Sequence, residues 1–362
     1  MNTIAIVGCG LQGSCVAYGL SKLGYTVELV DLDQNILNIA AQKLRLLGCN
    51  VFAKHNCYKQ LKNAKTLVSC APYKINEAIH NWCGCNNVKY CDLGGNPEIS
   101  EKINNRADVD KCQTFTDLGL APGLANILAE RLFFNPPNYE GKKVKVDSVH
   151  ICVGGLPVNP KGLGSLQYGR TFHIGGLTNE YSGYDTVLQD GKLVNVKTLG
   201  GIESFSMYDD LLEAFYTKGG LGLSVQRLQA KGLQNYTYKT IRYQGHVELL
   251  KFLMEECCLE GDVLDKAMMN ATPPITDDKV YVRLVFSSKS GVGGQTAYRI
   301  HHDKNWTAMQ KSTAFPTAVV AGMMHDEKFK QKTHSLNYSH LAGELFKEFA
   351  EKLNSLGIQV NN

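Results

Sequence analysis

Two acids, a guanidinium and an imidazole in this sequence carry enough chemistry to build a reaction. Asp92 and Asp117 each end an apolar run and run into glycine, in Cys91-Asp92-Leu93-Gly94-Gly95 and in Asp117-Leu118-Gly119. A carboxylate in that position serves as a turn former or cap. Two of them converging on one crevice would instead serve acid–base work. Arg242 and His246 share the string Thr240-Ile-Arg242-Tyr-Gln-Gly245-His246, which places the Arg at a strand end and the His at a helix start. Arg suits bidentate capture of a carboxylate. A His at a helix N-terminus is held neutral by the dipole, the form a base needs. The plain alternative is a surface Arg and a capping His.

Glycines carry the second signal. Gly8-Cys-Gly10-Leu11-Gln12-Gly13 follows the strand Ile4–Val7 and opens a helix. The first glycine permits the tight turn, the second lets backbone approach a pyrophosphate, and the third lets helix and strand pack closely. Phosphates would then sit on the helix N-terminus, with Leu11 and Gln12 in the binding loop. Asp31 ends the second strand, eighteen residues beyond Gly13, where a carboxylate accepts the ribose hydroxyls and repels a 2′-phosphate. Asp33 adds negative charge, and no Arg follows at once. NAD is therefore favoured over NADP. Ser69, Ala71, Pro72 and Tyr73 lie just past another strand, where ligands of such folds gather, and Ser69, Ala71 and Pro72 are further candidates to touch the cofactor.

These residues need a scaffold, and the pattern supplies one. The 362 residues suffice for about two domains. Over residues 1–134 strands alternate with helices, which predicts a parallel sheet wrapped on both faces. A loop at Asn135-Pro-Pro-Asn marks the boundary. Residues 135–311 read as a second α/β domain with a mixed or antiparallel sheet. Its strands include Lys145–Val153, ended by the glycine turn Val153-Gly-Gly-Leu-Pro157, and a helix is expected over His246–Cys258. Residues 312–362 turn helical and are expected to return to the first domain. Apolar residues make up 44%, charged residues 20%, and the net charge is +4. That balance argues against disorder and against a nucleic-acid partner. No apolar run approaches a membrane span and no basic leader precedes the first strand, so a cytoplasmic protein is expected. The twelve cysteines mostly sit in apolar runs, and neither Cys83-Gly-Cys85 nor Cys257-Cys258 has zinc-knuckle spacing, so no metal is expected.

Four stretches in order carry a resemblance: Gly8-x-Gly-x-x-Gly13, Asp117-Leu-Gly-Leu-Ala-Pro-Gly-Leu-Ala-Asn126, Val153-Gly-Gly-Leu-Pro157 and Tyr238-Lys-Thr-Ile-Arg-Tyr-Gln-Gly-His246. Together they resemble the saccharopine dehydrogenase/lysine 6-dehydrogenase family. Asp92-Leu-Gly-Gly95 and Asp117-Leu-Gly-Leu-Ala-Pro-Gly123 look closest to the lysine 6-dehydrogenase branch. The resemblance implies a Rossmann domain, a substrate and oligomerisation domain, and a homodimer or higher assembly. It also implies NAD-linked oxidation of an amino-acid C–N bond. Arg242 would hold a substrate carboxylate, Asp92, Asp117 and His246 would surround the amine, and Tyr73 would line the cleft. Two departures stand out. Gln167, beside Tyr168, replaces an acidic residue of the lysine branch, and Pro72-Tyr73 looks more like the saccharopine reductases. A saccharopine-type reductase would need a second cationic anchor, for which Arg170 beside Tyr168 is the candidate. The remaining alternative is a dinucleotide-binding sensor without catalysis.

Overall fold

A computed structural model of the chain describes residues 3–360, except 137, 140, 141 and 172. The chain divides into two compact units, Met1–Phe134 with Gln310–Asn362, and Asn135–Met309.

The first unit begins with β1 (Thr3–Val7), α1 (Leu11–Lys22), β2 (Val27–Val30), α2 (Gln34–Leu46) and β3 (Val51–His55). It continues through β4 (Ala64–Ser69), α3 (Asn76–Cys85), β5 (Lys89–Asp92), α4 (Pro97–Ala107), β6 (Thr114–Phe115) and α5 (Leu124–Phe134). All six strands run parallel in the order β3-β2-β1-β4-β5-β6. That is the doubly wound order of dinucleotide-binding sheets, whose ligand crevice opens where the order reverses, between β1 and β4. β1 is buried throughout, as a parallel strand covered on both faces must be. Caps set the helix starts. The Asp33 carboxylate accepts from Asn35 N and Ile36 N to begin α2, and Asn96 accepts from Ile99 N to begin α4 with Pro97 in its first turn.

The second unit opens with a short hairpin, β7 (Asn138–Tyr139) and β8 (Lys142–Lys143). Then come β9 (Ser148–Pro157), α6 (Ile174–Glu180), β10 (Tyr184–Gln189), β11 (Lys192–Lys197), β12 (Glu203–Met207) and β13 (Asp210–Tyr216). α7 (Ser224–Ala230), β14 (Asn235–Tyr243), α8 (His246–Lys251), α9 (Gly261–Ala271), β15 (Asp278–Ser287) and β16 (Gly293–His301) complete it. The main sheet runs β11-β10-β14-β9-β15-β16, with β13 beside the other end of β14 and β12 beyond it. Only the β9–β14 pair is parallel, so the sheet is mixed, as expected.

Two sequence expectations change here. Gly154 and Gly155 do not turn the chain; they lie inside β9, which runs on to Pro157. A Cβ on Gly154 would lie 2.4 Å from the Ile241 carbonyl, so the missing side chain serves strand-to-strand approach. The helix expected over His246–Cys258 is α8 followed by one π-helical turn, Phe252–Glu256. The helix α6, with two glycines in seven residues, carries no clear periodic signal.

The chain then enters α10 (Ala308–His325), α11 (Ser339–Ala342) and α12 (Leu345–Ser355). α10 packs on α1, where a Cβ on Gly19 would touch Ala318 and Phe315. The segment 334–336 hydrogen-bonds to both sides of Thr114, extending the first sheet past β6. The tail thus belongs to the first unit.

Candidate functional site

At the β1/β4 switch point the three glycines divide the work. Gly8 has φ +92° and sits so close to Cys70 and Ala71 backbone that a Cβ would collide at 2.8 Å. Gly13 lies against the Gly8 carbonyl, 1.8 Å from where its Cβ would be. Gly10, by contrast, has no protein atom within 4 Å of that position. Two glycines therefore close the loop and the third leaves a bare backbone approach at the mouth of α1. The first turn of α1 has N–H groups without intrahelical acceptors, which face anions well. The Gln12 side-chain oxygen is buried without a protein partner. Leu11, beside it, is 69% exposed.

The Asp31 carboxylate anchors this loop from below. It accepts from Cys9 N at 2.7 Å and from Asp33 N at 2.9 Å, one bond on each oxygen. A carboxylate has about four acceptor positions, so about two remain for a diol. This arrangement, a cradle with one open glycine and a part-committed acid, fits the adenosine half of a dinucleotide.

Past β4, Ser69 is buried and donates to Asn76 Oδ1 at 2.7 Å; Asn76 donates in turn to Asp92. Asp92 accepts from Tyr90 Oη at 2.8 Å, Asn76 Nδ2 at 3.3 Å, Gly94 N at 2.9 Å and Asp117 N at 3.0 Å. Its acceptor positions are full, and burial holds its carboxyl above the ordinary range. The geometry makes Asp92 the pin of the turn. Asp117 sits beside it in left-handed backbone, φ +60°, and accepts from Ser100 Oγ at 2.7 Å. Gly94 has room for that carboxylate only because it lacks a Cβ, which would stand 2.4 Å from Asp117 Oδ1. Tyr73 packs on Gly95 and stays 36% exposed. The structure thus gathers Ser69, Ala71, Pro72, Tyr73, Asp92 and Asp117 along the carboxyl edge of one sheet.

In the second unit Arg242 is 3% exposed at the end of β14. Its guanidinium stacks on Tyr168, 4.7 Å from the ring centroid, and lies 5.8 Å from the Tyr181 ring. Nε donates to Tyr181 Oη at 3.0 Å, and Nη1 donates to the Ile241 carbonyl at 2.8 Å. His246 opens α8 directly behind. Its Nδ1 is 2.8 Å from the Leu166 carbonyl, an acceptor only, so Nδ1 carries the proton. Nε2 is therefore the acceptor for Tyr181 Oη, 3.3 Å away. Hydrogen bonds run one way, from Arg242 through Tyr181 and His246 to the Leu166 carbonyl. His246 is neutral, as expected, but chiefly for another reason: burial first and the Arg242 charge second push it down to about 3.

Beside this guanidinium the Tyr168 hydroxyl neighbours the Thr171 side chain. Glu180, the last residue of α6, lies within electrostatic reach of Arg242, Tyr168, Tyr181 and Tyr238. Burial pushes its carboxyl up to about 7, with Arg242 opposing. Glu180, Thr171 and Tyr181 escaped the sequence reading because they sit on or beside the unforeseen α6. Arg170 pairs its main chain with the segment 273–275. Gln167 donates to the Gln244 carbonyl at 3.2 Å.

No helix among the described residues is long and apolar enough to cross a membrane. Among the same residues no group of three His, Cys, Asp or Glu is placed to hold a metal.

A doubly wound dinucleotide-type sheet joined in one chain to a mixed-sheet unit with a buried Arg defines an oxidoreductase fold. Residues 119–358 match the family model of the saccharopine dehydrogenase C-terminal domain, and the chain belongs to that family. The fold is similar to apo saccharopine dehydrogenase (L-Glu forming) from Saccharomyces cerevisiae, with a TM-score of 0.78 at 11% identity over 100% of this chain and 99% of that one. Looser similarity extends to a probable dehydrogenase from Thermotoga maritima, with a TM-score of 0.45 at 10% identity over 99% and 98% of the chains. The scyllo-inositol dehydrogenase from Lactobacillus casei, solved with NAD(H) and scyllo-inositol, gives 0.46 at 8% identity over 98% and 95%.

Proposed function

We propose that this protein is an NAD-dependent dehydrogenase acting on a C–N bond of an amino acid, with L-lysine oxidised at its terminal amine as the first candidate. The observation that carries this reading is Arg242. It is a buried guanidinium with no ion-pair partner among the described residues, and only two of its five donors are used by protein. Burying an uncompensated charge is costly, and a substrate carboxylate is the natural complement.

Gly8, Gly10, Leu11, Gln12, Gly13 and Asp31 would hold NAD, with Ser69, Ala71 and Pro72 beside it. When bound, NAD supplies the hydride acceptor. The remaining work belongs to the chain. Arg242 fixes the substrate, and positioning of this kind is worth several kcal/mol in general. An alkylammonium has a pKa near 10.4 and must lose a proton before its carbon can give up hydride. Asp92, Asp117 and His246 are the candidates for that proton; Asp92 has its acceptor positions filled and His246 has its second nitrogen tied to Tyr181. Tyr73 lines the approach. Water then releases ammonia and leaves an aldehyde.

Pro72-Tyr73 favours a second reading, a saccharopine-type enzyme working on a secondary amine. Both readings are separated by following NADH absorbance in both directions with single amino acids and with amino-acid/keto-acid pairs. NADH formed from lysine alone supports the first; turnover only with pairs supports the second. Tight NAD binding without turnover of any amine would leave a sensor. Arg242→Ala is expected to raise KM about a hundredfold or abolish activity while NAD binding survives. An unchanged KM would remove Arg242 from the substrate.

A further inference from the structure

The face of the mixed sheet opposite Arg242 carries a charged row outside the proposed amine site. Side chains alternate along a strand, so Lys239, three residues before Arg242 on β14, belongs to the other face. Register puts Tyr216 of β13, Lys239 of β14, Cys152 of β9 and Arg283 of β15 in one row across four neighbouring strands. The next row holds Thr237, His150 and Val285. Lys239 and Arg283 thus stand two strand spacings apart, about 10 Å between backbones. A thiol, not an acid, lies between them.

One carboxylate serves both cations. Glu203 of β12 accepts from Lys239 Nζ at 3.1 Å and from Cys152 Sγ at 3.7 Å, and its other oxygen is 4.0 Å from Arg283 Nη1. Aromatic rings seat the cations: Lys239 Nζ is 5.1 Å from the Tyr216 ring centroid, and the Arg283 guanidinium is 4.6 Å from that of Phe205. Arg283 Nε donates to Gln295 Oε1 at 3.1 Å, while its four Nη donors make no hydrogen bond among the described residues. Charges of purely structural use would pair opposite signs directly across the ladder. Here two cations share one acid whose side chain is 40% exposed, and the guanidinium fork stays unbonded.

These groups line a cavity of about 420 Å³ together with His150 and Thr237, a size within the range of small-molecule sites. Nδ1 of His150 lies 2.7 Å from Thr237 Oγ1, which leaves Nε2 for a ligand. Asn235, four residues along β14 from Lys239, marks the far end with Gln189 and Asp190, and its side chain accepts from Asp190 N at 3.0 Å. The row holds two positive charges and one negative, so the balancing ligand is an anion. The fork of Arg283 suits the paired oxygens of a carboxylate or phosphate. Asp190 at the far end turns the ligand's charge toward Arg283 and its polar, uncharged part toward Asn235.

We propose that this cavity is a second small-molecule site, on the face of the sheet away from Arg242, for an organic oxyanion held by Arg283 and Lys239. Glu203 is its internal competitor, since it engages the same two cations.

The test is isothermal titration of the full chain at constant ionic strength, with saturating NAD to fill the glycine loop. Inorganic phosphate, glycerol 3-phosphate and glutarate are the probes, and the last two separate phosphate from carboxylate. At least one is expected to bind wild type. Glu203→Gln is expected to tighten that probe tenfold or more, Arg283→Gln to abolish its binding, and Arg242→Ala to leave it unchanged. No binding to either wild type or E203Q would overturn the site. So would binding that is indifferent to R283Q and lost in Arg242→Ala, a result that keeps the proposed amine site. Should R283Q fail to fold by circular dichroism, Lys239→Gln replaces it; weakening of about tenfold supports the site and an unchanged affinity refutes it. Self-association in sedimentation velocity that weakens in R283Q, with no probe bound, would make this face a contact between copies and overturn the site. Arg283-dependent binding in a protein that turns over no amine would keep the site and discard the dehydrogenase.

Discussion

Arg242, Tyr181 and His246 hold one another in a fixed direction, because each proton in the series has a single acceptor. The Leu166 carbonyl fixes the imidazole tautomer, the imidazole fixes the tyrosine proton, and the tyrosine oxygen is left to receive Arg242 Nε. His246 is therefore tied to Arg242 through Tyr181. Tyr181→Phe deletes one hydroxyl and leaves two buried groups unpaired, a loss of about 1–3 kcal/mol. If the guanidinium binds substrate, that loss falls on ground-state binding. Steady-state kinetics should show KM rising roughly tenfold or more with kcat changed less. A fall in kcat at constant KM would instead place Tyr181 in the chemical step.

At the level of elements, the glycine loop separates folding from binding. Gly13→Ala drives a methyl into the Gly8 carbonyl and is expected to lower the melting temperature and abolish NAD binding together. Gly10→Ala meets no protein atom and is expected to leave melting unchanged while weakening NAD several-fold. Calorimetry and cofactor titration on the two variants check this; an equal melting loss in both would show that Gly10 too is needed for the fold. The loop was readable in advance because its neighbours are strands buried on both faces, which appear as unbroken apolar runs beside conspicuous glycines. α6 was not. Ile-Gly-Gly-Leu-Thr-Asn-Glu has two glycines in seven residues and no propensity for a helix. Its stability comes from outside, through Leu177 in the core beside Leu264 and Met268 of α9 and the Thr178 hydroxyl on Asp265. Arg242 could be picked out from its string, whereas Tyr181, which receives its Nε, hung on an element that only tertiary packing creates. Asp92 shows the opposite failure. Its strand-end position was legible, but the four donors that fill it come from 76, 90, 94 and 117, and no local pattern joins those.

For the molecule as a whole, histidines held neutral by the fold are expected to weaken it in acid. His80, His150 and His246 all have their pKa lowered, in each case by burial first. For His246 the folded value is about 3 and the reference value 6.5, so between them the unfolded chain holds the extra proton. Stability contributed by the neutral ring is then complete above about 6.5 and is lost as pH falls toward 3. Melting midpoints should drop across that window, and more shallowly in His246→Gln than in wild type; parallel curves would contradict it. A second property of the whole concerns its making. The first unit needs residues 310–362 to cover α1 and to extend the sheet past β6, whereas the second lies in one uninterrupted stretch. On the ribosome, the later-encoded unit therefore has all its parts first. The nucleotide-type half must wait, with its apolar flank bare, until the last helices emerge.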